Sequence, residues 1–396
     1  MADKYYEIVI VGGGAAGIST AARLAKELPS GSIAIIEPST EHYYQPIWTL
    51  VGGGVLPKSV SEKDTATLIP QGCDWIKDAA TGFDPEQNQV STKENGNISY
   101  GYLVVAAGIQ INWTGIKGLS RNVGKKGICS NYSYNTVDST WENIRNLGKG
   151  TAIFTQPATP IKCGGAPQKI MYLAEDYFRK AGLRKQIDVK FVSGMPGIFA
   201  VKKYAEQLNR ISDTRGIERT FRHDLVEVDA DNKVAIFKNL ENDELVSMEY
   251  DMLHVTPKMG PPDFIKKSTL ANDGGWVDVN KDTMQHNSYS NVFACGDCSS
   301  LPTSKTAAAI RAQVPIMVKN IMAARNGEAL TEHYDGYTSC PLVTGYGRLI
   351  LAEFDYDLNP KETFPFDQGV ERKSMYILKK DIIPKLYWHG MLKGRF

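Results

Sequence analysis

The segment Val9-Ile10-Val11-Gly12-Gly13-Gly14-Ala15-Ala16-Gly17 constrains the fold more than any other. An apolar run breaks into a glycine turn, and a helix-forming stretch, Ile18–Lys26, follows. Gly12, Gly14 and Gly17 satisfy the G-x-G-x-x-G spacing. The first glycine permits the tight turn, the second lets backbone approach a pyrophosphate, and the third lets the helix close on the strand. A second apolar strand, Ile33–Ile36, ends in Glu37, which lies 25 residues past Gly12. That is close to the spacing of a carboxylate that binds a ribose hydroxyl. The expectation is an α/β fold with Rossmann-like dinucleotide-binding domains.

Later segments select the dinucleotide. Tyr102–Val105 reads as a strand ending in Ala106-Ala107-Gly108. It resembles the "ATG" strand of two-dinucleotide flavoproteins, with Ala107 at the threonine position. Asn291–Ala294 runs into Cys295-Gly296-Asp297, which resembles the strand whose aspartate meets the ribityl chain of FAD in glutathione-reductase-like proteins. A helix beginning near Lys305-Thr306 would aim its positive end at the flavin ring. These motifs in this order indicate FAD. The matching mid-chain segment, Thr151–Pro167, has a strand and a helix but no G-x-G-x-x-G between them. Three prolines and Cys163 occupy the turn, and proline lacks the N–H that would bind phosphate. NADH is therefore disfavoured as the reductant.

The 396 residues exceed one compact domain, and Lys+Arg 45 against Asp+Glu 44 leaves a net charge of +1. That balance argues against a nucleic-acid binder. Six cysteines in so long a chain do not make a disulfide scaffold. Cys163 sits on a Gly/Pro loop opening a helix beside Lys162, a setting that lowers a thiol pKa. Cys340 lies in a small-residue segment, Tyr337–Tyr346, far along the chain. Either, taken alone, reads more readily as a small, inert buried hydrophobe. Cys295 and Cys298 form a C-x-x-C, discounted as a metal or redox site because Gly296-Asp297 already has a flavin role; no metal site is expected. Cys73 reads as structural.

The chain resembles the sulfide:quinone oxidoreductases of the mitochondrial-like type. The blocks that carry this are Glu37-Pro38-Ser39, Tyr43–Gly52, Cys163–Leu173, Leu301–Ala309, Tyr337–Tyr346 and Pro365-Phe366-Asp367-Gln368. The resemblance implies that Cys163 and Cys340 are a redox pair beside the flavin. It implies FAD contacts at Ala15, Ala16, Glu37, Gln45, Ala80, Asp297 and Lys305, beside Gly12, Gly14, Ala107 and Gly108 from the motifs. Ala15 and Ala16 depart from the residues common there, at little cost where backbone amides bind the phosphate. Bacterial members carry a third functional cysteine roughly at Cys129, and the role of Cys129 is left open. The activity implied is attack of hydrosulfide on a Cys163–Cys340 disulfide, passage of electrons through FAD to a quinone (ubiquinone or menaquinone), and release of persulfide sulfur. The sulfur goes to glutathione, sulfite or sulfide, or leaves as polysulfide. The alternatives are a flavocytochrome-type sulfide dehydrogenase and a type-II NADH:quinone reductase.

The segment Ser374–Phe396 is basic, apolar and aromatic. Ile377, Ile383, Leu386, Tyr387 and Met391 are expected to share an apolar side, and Lys379, Lys380, Lys385, Lys393 and Arg395 to face anionic headgroups. The competing expectation is a pair of core-packing helices. Relatives often continue past this point, so a short or trimmed tail is expected. The first strand begins near Tyr6 with no basic-then-apolar leader, so Sec export is not expected. The localisation expected is a peripheral one, on the cytoplasmic face of a bacterial inner membrane or the matrix face of the mitochondrial one. The expected division is a first FAD-binding segment at 1–112, a second Rossmann-like domain without an NAD motif at 113–255, a second FAD segment at 256–330, and a quinone and membrane region at 331–396. Homo-oligomer formation is left open.

Overall fold

A computed structural model describes residues 4–396. Its first sheet has seven strands. Four strands lie side by side in the order Cys73–Ile76, Ile33–Ile36, Lys4–Val11 and Asn97–Val105, all parallel. Val292–Ala294 adds in parallel to the end of Asn97–Val105. An antiparallel pair, Gln89–Thr92 and Ala80–Asp84, extends the edge. The central strands are runs of Ile, Val, Leu and Ala, and Ile8, Val9, Ile10, Leu103 and Val104 have no exposure at all. Continuous apolar runs of this kind belong to parallel strands covered on both faces.

Three loops leave neighbouring parallel strands at their C-terminal ends: Gly12–Gly14, Ala106–Gly108 and Cys295–Asp297. Open α/β sheets bind their ligands in the crevice beyond these ends. The chain that returns from elsewhere to supply Val292–Ala294 thus brings Asp297 to the glycine turn.

A second parallel sheet has the order Ile128–Cys129, Met252–His254, Gly150–Gln156, Ile187–Ser193 and Glu218–Thr220. The helix Ala166–Lys180 packs on it with almost every residue buried. A three-stranded antiparallel ribbon, His223–Asp229, Val234–Asn239 and Leu245–Glu249, completes this part. The C-terminal stretch begins with the hairpin Thr338–Gly345 and Arg348–Phe354, which packs against the helix Ala166–Lys180. Short helices at Lys373–Ile377 and Ile383–His389 follow, joined by a wider π turn.

The tail differs from its expected form. Tyr387, Trp388, Met391 and Leu392 are buried in the same core as the first sheet, whereas Ile377, Ile382, Leu386 and Phe396 are exposed. The five residues expected on one apolar side are therefore split. The cause is an aromatic seat: the Tyr387 ring lies 4.5 Å from that of Tyr44, and the Tyr387 hydroxyl meets His42 Nε2. Lys379 is also displaced from the surface, at 3% exposure.

Candidate active site

The glycine turn is shaped to hold a phosphate. Gly12 has φ +107, and a side chain there would collide with the Ala106 carbonyl. Gly17 lies so near the Gly12 carbonyl that no Cβ fits, which fixes the helix Ala15–Leu24 against the turn. Gly14 is the N-cap of that helix, donates no side-chain cap, and faces open space. Its free N–H groups therefore point into a cavity. Glu37 accepts from the Gly13 amide at 2.7 Å and the Ser39 amide at 2.8 Å, so its carboxylate is fixed beside the turn. The cavity of about 830 Å³ is lined by Gly12, Gly14, Ala15, Ala16, Glu37, Gln45, Ala107, Gly108, Asp297 and Lys305. An open phosphate cradle and a fixed carboxylate, continuous with a cavity of this size, fit FAD.

Ala80 does not join them. It starts the strand Ala80–Asp84 at the sheet's outer edge and does not line the cavity. Lys305 and Lys162 both act on Asp297; burial raises the Asp297 pKa, and the two lysines oppose it. Thr306 caps the helix Ala307–Arg325 by accepting from the Ala309 amide. That helix presents its N-terminus to the same cavity, through Thr306, Ala307 and Ala308.

Cys163 and Cys340 are brought together from positions 177 residues apart, with their sulfurs 3.5 Å from each other. Both are free thiols at this separation, since a disulfide requires about 2 Å. Cys163 lines the cavity. Cys340 lies just behind the wall, 1% exposed, between the lining residues Ser339 and Pro341. Cys163 has φ +56, a left-handed conformation that costs a non-glycine residue about 1 kcal/mol or more. Backbone bonds to Lys305 and Ala166 hold it there. Gly165 permits the approach: a Cβ there would come within 2.9 Å of the Cys340 sulfur.

Two buried lysines complete the site, and neither was singled out for it from the sequence. Lys169, on the first turns of the helix Ala166–Lys180, places its ammonium 3.0 Å from the Cys163 sulfur at 2% exposure. Lys379 lines the same region and donates to the Pro46 carbonyl at 3.0 Å. Cys163 is held well below the ordinary thiol range, first by the Cys340 thiol donating to it and then, against burial, by Lys169 and Lys379. Cys340 is pushed well up by the same hydrogen bond and by burial. The pair therefore titrates as one unit in which Cys163 carries the charge. Burial pulls Lys379 down to about 7.

The other cysteines are unlike this pair. Cys129 is fully buried, outside the cavity, and burial pushes its thiol up to about 12. Burial raises Cys298 to about 11 and raises Cys295 further, and Cys73 rises to about 11 for the same reason. Among the described residues, no group of three His, Cys, Asp or Glu side chains is arranged to hold a metal ion.

Residues 6–143 match the family model described as pyridine nucleotide-disulphide oxidoreductase. The chain is 48% identical over 394 residues to the mitochondrial sulfide:quinone oxidoreductase of Mus musculus, spanning 99% of this chain and 88% of that protein. It is 50% identical over 393 residues to the protein of the same name from Dictyostelium discoideum, spanning 98% and 86%. The fold superposes on the crystallised sulfide:quinone oxidoreductase of Aquifex aeolicus with a TM-score of 0.81 at 18% identity, covering 99% of this chain and 92% of that one.

Proposed function

This chain belongs to the sulfide:quinone oxidoreductase family, and from that premise we propose how its residues carry the reaction. It is an FAD-dependent oxidoreductase that oxidises sulfide and reduces a quinone. Bound FAD supplies a two-electron acceptor that passes the electrons on to the quinone.

In the oxidised enzyme Cys163 and Cys340 share a disulfide. Hydrosulfide attacks the Cys340 sulfur: a sulfur–sulfur bond forms there, the bond to Cys163 breaks, and Cys163 leaves as a thiolate. The Lys169 ammonium and its neighbour Lys379 stabilise that thiolate, which makes Cys163 the better leaving group and directs attack to Cys340. The outer sulfur leaves Cys340 to glutathione, sulfite or another sulfide, which frees a Cys340 thiolate, and the two electrons released as that thiolate bonds to Cys163 are those that bound FAD would accept. The Cys163–Cys340 bond is thereby restored. The residues that would hold FAD are Gly12, Gly14, Ala15, Ala16, Glu37, Gln45, Ala107, Gly108, Asp297 and Lys305, which line the cavity. The quinone ring enters between the hairpin and the tail, where Leu351, Phe364, Leu378 and Ile383 offer an apolar wall.

The enzyme docks peripherally on a membrane through the exposed Ile377, Ile382, Leu386 and Phe396, with the exposed Lys373, Lys385, Lys393 and Arg395 of the same segment facing anionic headgroups. No helix among the described residues is long and apolar enough to cross a membrane. The matrix face of the mitochondrial inner membrane, or the cytoplasmic face of a bacterial one, is where such docking meets a quinone. The division into 1–112, 113–255, 256–330 and 331–396 remains our reading of the domains.

The observation that carries the mechanism is the 3.0 Å contact between the Lys169 ammonium and Cys163 beside Cys340. Anaerobic titration of the flavin absorbance band tests it. Sulfide bleaches the band rapidly and NADH far more slowly, because the turn at 156–167 lacks phosphate-binding glycines. Fast bleaching by NADH refutes the reading and favours an NADH:quinone reductase.

A further inference from the structure

Reduction of a quinone consumes two protons as well as two electrons, so protons must reach the ring inside the protein. We infer that Thr363, Glu353 and Tyr337 form a proton relay from solvent to the quinone end of the cavity, an inference that rests on the quinone reading above.

Glu353 lies on the hairpin strand Arg348–Phe354, is 4% exposed, and lines the cavity together with Tyr337 and Thr363. Its two oxygens are held in different ways. Oε2 accepts from the Thr363 amide at 2.8 Å and the Gln368 side-chain amide at 2.8 Å. Neither N–H group passes protons readily, so that oxygen is an anchor. Oε1 accepts from the Tyr337 hydroxyl and, at 3.1 Å, from the Thr363 hydroxyl. Both of these groups can donate one proton while accepting another. Thr363 is exposed and Tyr337 is half-buried on the cavity wall, so the string runs from water to the site.

The cations nearest Glu353 are engaged elsewhere. Among the described residues no lysine or arginine pairs with it. Lys203, on the helix Lys202–Thr214 behind it, is already paired with Glu362 at 2.7 Å and Asp367 at 2.8 Å. Lys361 is paired with Asp335. From the helix Ala307–Arg325, Arg311 stacks 5.7 Å over the Tyr337 ring and does not bridge to the carboxylate. Tyr204 donates to the Glu353 backbone carbonyl, not to the side chain. Burial and the bond to Glu353 push the Tyr337 phenol up to about 12, so it stays a proton donor at neutral pH.

The transfer balances. As the reduced quinone oxygen takes the Tyr337 proton, Glu353 Oε1 receives the Thr363 hydroxyl proton and passes it on to the Tyr337 oxygen, and Thr363 takes one from water, leaving hydroxide in the solvent. Each O–H bond broken is matched by one formed, and a second cycle supplies the second proton.

The competing role for Glu353 is a purely structural clamp on the loop 363–368. Stopped-flow measurement of the two half-reactions separates them. In Glu353→Gln and Tyr337→Phe, re-oxidation of the sulfide-reduced flavin by decylubiquinone slows about 100-fold, as expected when a general acid is lost. The solvent deuterium isotope effect on that step rises, and added formic acid restores much of the rate. Flavin reduction by sulfide stays within about two-fold in the same samples. Thr363→Val, at an exposed site with similar volume, slows re-oxidation in the same direction and answers for Glu353→Gln if that variant loses FAD or thermal stability. Wild-type re-oxidation rates and isotope effects in Glu353→Gln and Thr363→Val overturn the relay, as does a slowing that formic acid does not relieve. If the wild-type enzyme itself does not reduce decylubiquinone, the quinone reading fails instead.

Discussion

Replacing Lys169 with methionine removes the charge that faces Cys163 while keeping most of the side-chain volume. The ammonium lies 3.0 Å from the sulfur, with Lys169 buried and Cys163 half-buried on the cavity wall. At an effective dielectric of about 20, two unit charges at that distance attract by roughly 5 kcal/mol. One pKa unit corresponds to about 1.4 kcal/mol, so complete loss of the attraction would raise the Cys163 pKa by about four units. The Cys340 thiol still donates to Cys163, and Lys379 still faces it. The expected rise is therefore about two units, roughly half the full figure. The rate of iodoacetamide alkylation of the reduced enzyme, followed against pH, reads this directly, because the thiolate is the species that reacts. The wild-type rate stays high well below the ordinary thiol pKa, and the Lys169→Met profile shifts to higher pH. A profile that moves by less than about half a unit would refute the ion pair as the source of the thiolate. The same variant should slow flavin reduction by sulfide, since a thiolate of higher pKa is a poorer leaving group.

Further outcomes follow from the same geometry. Cys163→Ser and Cys340→Ser each abolish sulfide oxidation with FAD still bound, while Cys73→Ser keeps near-wild-type turnover; a turning-over Cys163→Ser enzyme would end the disulfide mechanism. Lys379 titrates near 7 in the folded chain against an ordinary value of 10.5, so the unfolded chain holds more protons between those values and stability rises with pH across that window. Lys379→Met removes this burden, and denaturant titration should show the variant more stable than wild type at neutral pH and the difference shrinking toward pH 10.5. Leu386→Glu with Ile382→Glu changes exposed positions only, and should shift the enzyme from liposome pellet to supernatant at unchanged thermal stability; continued pelleting would show that the tail is not the anchor. Trp388→Ala, in contrast, empties a buried aromatic seat and should cost about 3–5 kcal/mol.

The first sheet was legible in the sequence because its signals are local. Glycines at 12, 14 and 17 with an acid at 37 specify a turn whose geometry each residue enforces on its neighbours. The strands at 102–105 and 291–294 announced themselves in the same way, through apolar runs ending in small residues. Burial was harder to read. Lys379 and Lys380 are adjacent lysines, and nothing local says that a π turn carries one of them under Pro46 and toward Cys163. Tyr387 and Met391 share the apolar character of Leu386, yet only a partner 343 residues away, Tyr44, draws Tyr387 inward. Ala80 is the converse case: a position inferred from likeness starts an edge strand and is not among the residues that line the cavity. Glu353 carries no motif at all, and its place between two hydroxyls arises from three separate segments meeting at the hairpin.

The most direct test of the sulfur chemistry is to locate the first sulfur–sulfur bond. Oxidised enzyme is mixed anaerobically with one equivalent of sulfide and no acceptor, quenched by alkylation, digested, and analysed by mass spectrometry. The account predicts one extra sulfur atom on the peptide that carries Cys340, with Cys163 alkylated as a plain thiol. An extra sulfur on Cys163, with Cys340 released, would contradict it.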